Sequence, residues 1–213
     1  MNKRILMILG GTWHDFDGFT AAMTPVLEKA GHTLDATYDL DALTQIEGHY
    51  DLVVLNTCIG QANRDSGPTV PGPTDAQTES LASWVQDGGG LLAVHAATVA
   101  GQASPALRAL MGGVFVEHPP QFTFTIYPMY EEHPITAGID AFTVHDEFYI
   151  QKYDDTITIH AIALDRGVAH PMVWSRSEGQ GRVAYIAMGH GPEVWELEPY
   201  QRMMLQAIEW LTA

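Results

Sequence analysis

The chain alternates between short, wholly apolar runs and longer stretches where apolar residues recur every three or four positions. Ile5 to Leu9, Leu52 to Leu55, Leu91 to Val94 and Val183 to Met188 belong to the first kind. They have no polar face to give to water, which predicts strands buried on both sides. Phe19, Ala22, Met23, Val26, Leu27 and Ala30 are of the second kind and stop at Gly31, as a helix would. Pro25 lies inside this pattern, either as a kink or as the first turn of a restarted helix. Leu81, Trp84 and Val85 follow Thr74-Asp75-Ala76-Gln77, which has the form of a capping box. A closing helix carries Tyr200, Met203, Met204, Ala207, Ile208 and Leu211 on one side. A short strand over 32–38 and short helices over 40–46 and 105–111 complete the series. Strand and helix in alternation predict a parallel sheet with right-handed crossovers.

The pattern changes in the middle third. Residues 122–127 and 156–162 alternate apolar with β-forming polar residues, which predicts antiparallel strands with one wet face. Met172-Val173-Trp174 returns to buried character and is joined to the last strand by the turn Glu178-Gly179-Gln180-Gly181. The expected architecture is a single three-layer α/β domain over residues 1–213, with a mostly parallel central sheet and an added antiparallel β region. Residues 59–73, with three Gly and three Pro, form a connection long enough to cover a site as a lid.

Composition narrows the partners. Acids outnumber bases 26 to 10, and the formal charge of -16 repels nucleic acid and anionic membrane surfaces. Neutral or weakly charged small molecules fit better. The lone Cys58 excludes an internal disulfide and agrees with a reducing compartment. Lys3-Arg4 and the five apolar residues after them are too short for a secretory signal, and no run nears the ~18 apolar residues of a membrane span. The cytoplasm is therefore the expected location. A homodimer is the base-rate expectation for assembly.

The candidate chemistry lies where the strands end. His190 stands between Gly189 and Gly191 after the last strand, so its imidazole is reachable and the backbone can approach a ligand. His95 ends the strand that follows Gly88-Gly89-Gly90, with small residues behind it, as a sharp strand-to-helix turn requires. Trp13-His14-Asp15 follows the first strand, and Glu117-His118-Pro119 is a further polar group. In His145-Asp146-Glu147-Phe148-Tyr149 an extended backbone would send the two acids to opposite faces, while Glu147 and Tyr149 would share one. The proposed catalytic set is His190, Glu147 and His95, with Trp13, His14, His118, Asp146 and Tyr149 as ligand contacts. Trp195 offers one more flat surface. No short ligand pair of diagnostic spacing is present, so a divalent metal such as zinc is a candidate only if His14, His95 and His190 are assembled by the fold.

With these residues in view, the chain resembles the ThuA-like (trehalose utilisation) family of the class I glutamine amidotransferase-like superfamily. The likeness rests on GGGLLAVHAAT with His95, GGVFVEHP with His118, HDEFY with Asp146, Glu147 and Tyr149, and GRVAYIAMGHGPEVW with Arg182 and His190. It implies a flavodoxin-like sandwich. In catalytic amidotransferases it also implies a cysteine at the elbow, where this chain reads Ala93-Val94-His95-Ala96-Ala97. Glu193 also lies one residue beyond the usual His-x-Glu spacing. Glutamine hydrolysis by a thiolate is disfavoured, because no thiol stands there. The resemblance implies instead a small-molecule sugar substrate, an oxidised keto-glycoside or disaccharide, processed by acid/base elimination or hydrolysis. The alternative is a non-catalytic sugar-binding or regulatory protein that has lost the nucleophile of this fold.

Overall fold

The computed structural model describes residues 2–61, 64, 69–129 and 133–213. Its central sheet has nine strands. The parallel half is built from β1 (Arg4–Gly10), β2 (Thr33–Thr37), β3 (Leu52–Thr57), β4 (Gly90–Val94) and β11 (Gly181–Ile186). The other half contains β6 (Phe122–Pro128), β7 (Phe142–Asp146), β9 (Thr158–Asp165) and β10 (Val168–Glu178). The spatial order is β2-β1-β3-β4-β11-β10-β9-β6-β7. Pairing is parallel from β2 to β11 and antiparallel from β11 outward to β7. A separate antiparallel ribbon joins β5 (Gly113–Glu117) to β8 (Ile150–Tyr153).

Helices flank the sheet in two groups. The first comprises α1 (Phe16–Lys29), α5 (Pro192–Trp195) and α6 (Glu198–Leu211); the second comprises α2 (Asp75–Gln86), α3 (Ala97–Ala100) and α4 (Pro105–Met111). The three-layer α/β reading is what the chain forms. β3 and β4 are buried at every residue, because helices cover both of their faces. β6 alternates exposed and buried positions, having one open face. Thr74 and Gln77 close the capping box in both directions, and α1 runs unbroken through Pro25. Residues 40–44 form a 3-10 turn in place of a short α-helix, with Asp39 accepting from the Asp41 N–H at its start. The lid reading of residues 59–73 falls in part outside the described residues, at 62–63 and 65–68.

The antiparallel strands do not form a separate region beside the core; they extend the same sheet and then curl. In a flat sheet β7 would lie about 19 Å from β11, four strand spacings away. Yet the Asp146 carboxylate at the end of β7 accepts the backbone N–H of Gly189, just past β11, at 2.8 Å. Register shifts between β9 and β10, at Pro171/Val173 and Val173/Trp174, supply the bend, since bulges sharpen the local right-handed twist.

Inside the curled half lies an acid-sensitive seam. His160 on β9 is fully buried, its Nε2 is 2.7 Å from Ser175 Oγ, its ring stacks on His133 at 3.7 Å, and its Nδ1 has no partner. Burial, reinforced by the neighbouring His133, lowers its pKa to about 3. An unfolded histidine titrates near 6.5, so the stability gained by keeping His160 neutral is complete above that pH and is lost as pH falls from about 6.5 towards 3. Urea unfolding across this range should show a falling midpoint, and His160→Gln should flatten the fall. Parallel profiles for the two proteins would remove His160 as the cause.

Candidate functional site

Four strand ends converge. His14 follows β1, His95 follows β4, Glu147 follows β7 and His190 follows β11. One ligand atom from each of the four lies within 4.8 Å of the others. The site therefore sits at the carboxyl ends of the parallel strands, where open α/β sheets place ligands, with one carboxylate brought in by the curled outer strand.

His95 occupies the elbow in the left-handed region, at φ 42. That conformation is costly for a residue with a β-carbon and persists only when its surroundings fix it. Its N–H donates to Ile186 O and its Nδ1 lies 2.7 Å from Ala187 O. Its own carbonyl accepts from the Tyr185 hydroxyl, which in turn receives hydrogen bonds from Gln151 and Thr98. Because the Ala187 carbonyl can only accept, Nδ1 donates a proton to it and Nε2 is the ring nitrogen that faces the cluster. Gln151, Tyr185 and Thr98 were not legible as site residues, since each is one polar position inside an otherwise ordinary buried pattern.

Glu147 is the hub. Its Oε2 lies 3.2 Å from His190 Nδ1, 3.3 Å from His95 Nε2 and 3.7 Å from His14 Nε2, and its Oε1 lies 3.6 Å from His118 Nε2. Burial alone would raise its pKa, but the imidazoles of His14, His190 and His95 outweigh that and hold the carboxyl well below the usual carboxylate range. Burial pushes His14 down to about 4, so it is neutral at pH 7. His190 is also penalised by burial, yet Glu147, with Asp146 and Glu193, raises it. The Tyr149 hydroxyl is 3.4 Å from His14 Nε2 and its ring stacks on His95 at 4.3 Å. Burial, then the charge of Glu147, moves that phenol well above its ordinary range and keeps it a proton donor.

The remaining candidates divide. Asp146 does not face the cavity. It is buried, and its carboxylate accepts the N–H groups of Glu147, Gly189 and His190 at 2.9, 2.8 and 3.2 Å. The strand ends at Asp146, so the strict alternation expected of neighbouring acids stops there. Both acids thus serve one site, Glu147 from inside and Asp146 from beneath. His118 is exposed beside Glu147 and lies outside the four-residue cluster. Trp13 is 44% exposed at the rim. Trp195 is buried, and its indole donates to Gly189 O, so it shapes the turn that carries His190. Cys58 is buried, and burial raises its pKa, which suits a packed thiol more than a nucleophile.

The donor set suits a zinc-class ion. Ligands about 2.0–2.1 Å from a tetrahedral centre lie about 3.3–3.4 Å apart along its edges, and the spacings at Glu147 Oε2 bracket that value. His95 Nε2, His190 Nδ1 and Glu147 Oε2 are buried atoms with no hydrogen-bond partner. Imidazole and carboxylate together are ordinary zinc ligands, and the Ala187 carbonyl orients His95 as an outer partner should.

A helix-flanked mixed sheet with this histidine-carboxylate cluster at the carboxyl strand ends defines an α/β protein whose strand-to-helix elbow carries His95 and no thiol. The sequence matches the family described as ThuA, trehalose utilisation, over residues 4–211, and the chain belongs to that family, whose description gives it a carbohydrate-related role. No curated protein matches the chain. Among solved structures, a ThuA-like protein from Parabacteroides merdae is 19% identical, with a TM-score of 0.82 over 100% of this chain and 91% of its own. A cytoplasmic protein from Salmonella typhimurium is 16% identical, with a TM-score of 0.71 over 99% of this chain and all of its own. A β-galactosidase from Rahnella shares the fold over 99% of this chain and 31% of its own, at 14% identity and a TM-score of 0.70. No helix among the described residues is long and apolar enough to cross a membrane.

Proposed function

We propose that this protein is a cytoplasmic, metal-dependent enzyme of carbohydrate catabolism that processes an oxidised glycoside. One observation carries the reading: His14, His95, His190 and Glu147 bring one ligand atom each to within 4.8 Å of one another, with His95 Nε2, His190 Nδ1 and Glu147 Oε2 buried there. Three imidazoles and a carboxylate converging in this way suit a positive ion between them. His14, His95, His190 and Glu147 would hold a divalent ion, and when bound it supplies Lewis acidity for polarising a substrate oxygen.

The other groups move protons. A hydrogen next to a ketone is acidic enough for a positioned imidazole to remove. His118, beside Glu147 but outside the cluster, is placed to do so. Tyr149, held protonated by burial and 3.4 Å from His14 Nε2, can donate to a substrate oxygen beside the cluster. The assignment of acid/base work shifts from His190 and Glu147 to these two, because the first pair is committed to the cluster. The family's carbohydrate-related description supports a sugar ligand, and the cytoplasmic description of the Salmonella neighbour supports the location.

Metal analysis of the purified protein should give about one zinc-class ion per chain. Turnover of keto-glycosides should fall at least about 100-fold in His118→Ala and in His190→Ala, the scale of lost acid/base or ligand function. Metal-free protein with full turnover, or unchanged turnover in both variants, would overturn the mechanism. Sugar binding without turnover would favour the non-catalytic alternative.

A further inference from the structure

A buried chain of hydrogen bonds reaches His95 from within the core. It starts at Gln151 on β8, four residues beyond Glu147. Gln151 Nε2 lies 2.6 Å from the Tyr185 hydroxyl, and that hydroxyl lies 2.9 Å from the carbonyl of His95. A carbonyl can only accept, so the one phenolic proton goes to His95 O and Gln151 must be the donor behind it. Thr98 Oγ1, at 3.2 Å, takes the remaining acceptor place on the hydroxyl. The Tyr185 ring is fully buried and packs on Trp174 at 4.2 Å, so it touches no ligand itself.

Two costs accompany this chain. His95 is held in the left-handed region at φ 42, and Gln151 Oε1 is buried with no hydrogen-bond partner. Packing alone favours neither, since a residue with a β-carbon avoids that backbone and a leucine at 151 would leave no acceptor unpaired. We propose that Tyr185 is a positioning residue for His95, and that Gln151 acts on the cluster through it. The Tyr185 hydroxyl pins the carbonyl of the elbow, and the elbow aims the ring. Only in this pose does Nδ1 meet Ala187 O at 2.7 Å while Nε2 meets Glu147 Oε2 at 3.3 Å. Released from Tyr185, the backbone at residue 95 can relax towards a commoner conformation and carry the imidazole off both partners. The effect on ion binding rests on the reading above; the effect on the orientation of the ring does not.

Two measurements on the purified protein test the assignment. The first needs no metal: the proton on His95 Nδ1, sheltered by its bond to Ala187 O, should give a resolved NMR signal that Tyr185→Phe broadens or removes through exchange with water. The second is zinc affinity by competition titration. Tyr185→Phe should bind zinc about 10–100-fold more weakly, the scale of residues one step removed from a metal. Gln151→Leu should lose about 3–10-fold, the value of one hydrogen bond, and should lose nothing further in a Tyr185→Phe background. Phenylalanine keeps the ring on Trp174, so the variant should fold, and titration well below its melting temperature separates affinity from stability. A wild-type Nδ1–H signal in Tyr185→Phe, or zinc held as tightly as by the wild type, would overturn the role of Tyr185. Additive losses would overturn the route from Gln151. Wild-type protein that binds no zinc, with the signal lost in the variant as expected, would sink the ion reading alone.

Discussion

Glu147→Gln should abolish zinc-dependent stabilisation. The substitution keeps shape and removes charge, and among the described residues Glu147 is the carboxylate that shares the cluster with His14, His95 and His190. An ion bound at about 1,000 times its dissociation constant stabilises the folded state by about 4 kcal/mol. Thermal melts of the wild type with and without zinc should separate accordingly, and those of the variant should coincide. Loss of affinity should exceed the ~10–100-fold typical of residues one step removed from the metal. The metal-free variant should remain folded, because glutamine keeps the volume, but it should be less stable than metal-free wild type, since it gives up the interaction with the imidazoles that holds the carboxylate charged. Equal zinc shifts in both proteins would show that the four side chains do not form an ion site.

The second large effect belongs to Asp146. Its carboxylate ties three backbone N–H groups from two distant loops. Asp146→Ala leaves those donors buried, each worth about 1–3 kcal/mol, and should lower unfolding free energy by about 3–5 kcal/mol. Asp146→Asn can still accept through one oxygen and no longer carries a charge whose burial is costly. It should lose less, about 1–3 kcal/mol, and still weaken metal binding by about 10–100-fold, because His190 and Glu147 lose their shared anchor. Denaturant unfolding measures the first effect and zinc titration the second. An Asn variant with wild-type zinc affinity would reduce Asp146 to a structural role.

How much of this was legible beforehand follows from the range of the forces involved. Buried strands such as Leu91 to Val94 announce themselves, because an apolar run with no polar face has one place to go. The capping box at Thr74 is equally local. His14, His95, Glu147 and His190 could be nominated from the ends of predicted segments, but their meeting could not. The three histidines meet at the ends of the parallel strands, while the arrival of Glu147 depends on the curl of the outer strands, beside register shifts between β9 and β10 that leave no mark on periodicity. The same curl explains Asp146. An alternation rule distributes neighbouring acids to opposite faces of a strand, and here the strand stops between them. The polar positions behind the elbow, Tyr185 above all, are invisible for the opposite reason, since one hydroxyl does not alter a strand's hydrophobic pattern.

The path of β7 has one more implication. As the outermost strand of the sheet it has a neighbour on one side only, the position from which sheets fray and from which unrelated chains add on. Its last residue, Asp146, and the next one, Glu147, are fastened to the loop beyond β11, on the far side of the curl. The histidine-carboxylate cluster thus doubles as a clasp on the sheet's loose edge. Anything that opens it, such as acid or the loss of one carboxylate, should expose an aggregation-prone border along with the dismantled cluster.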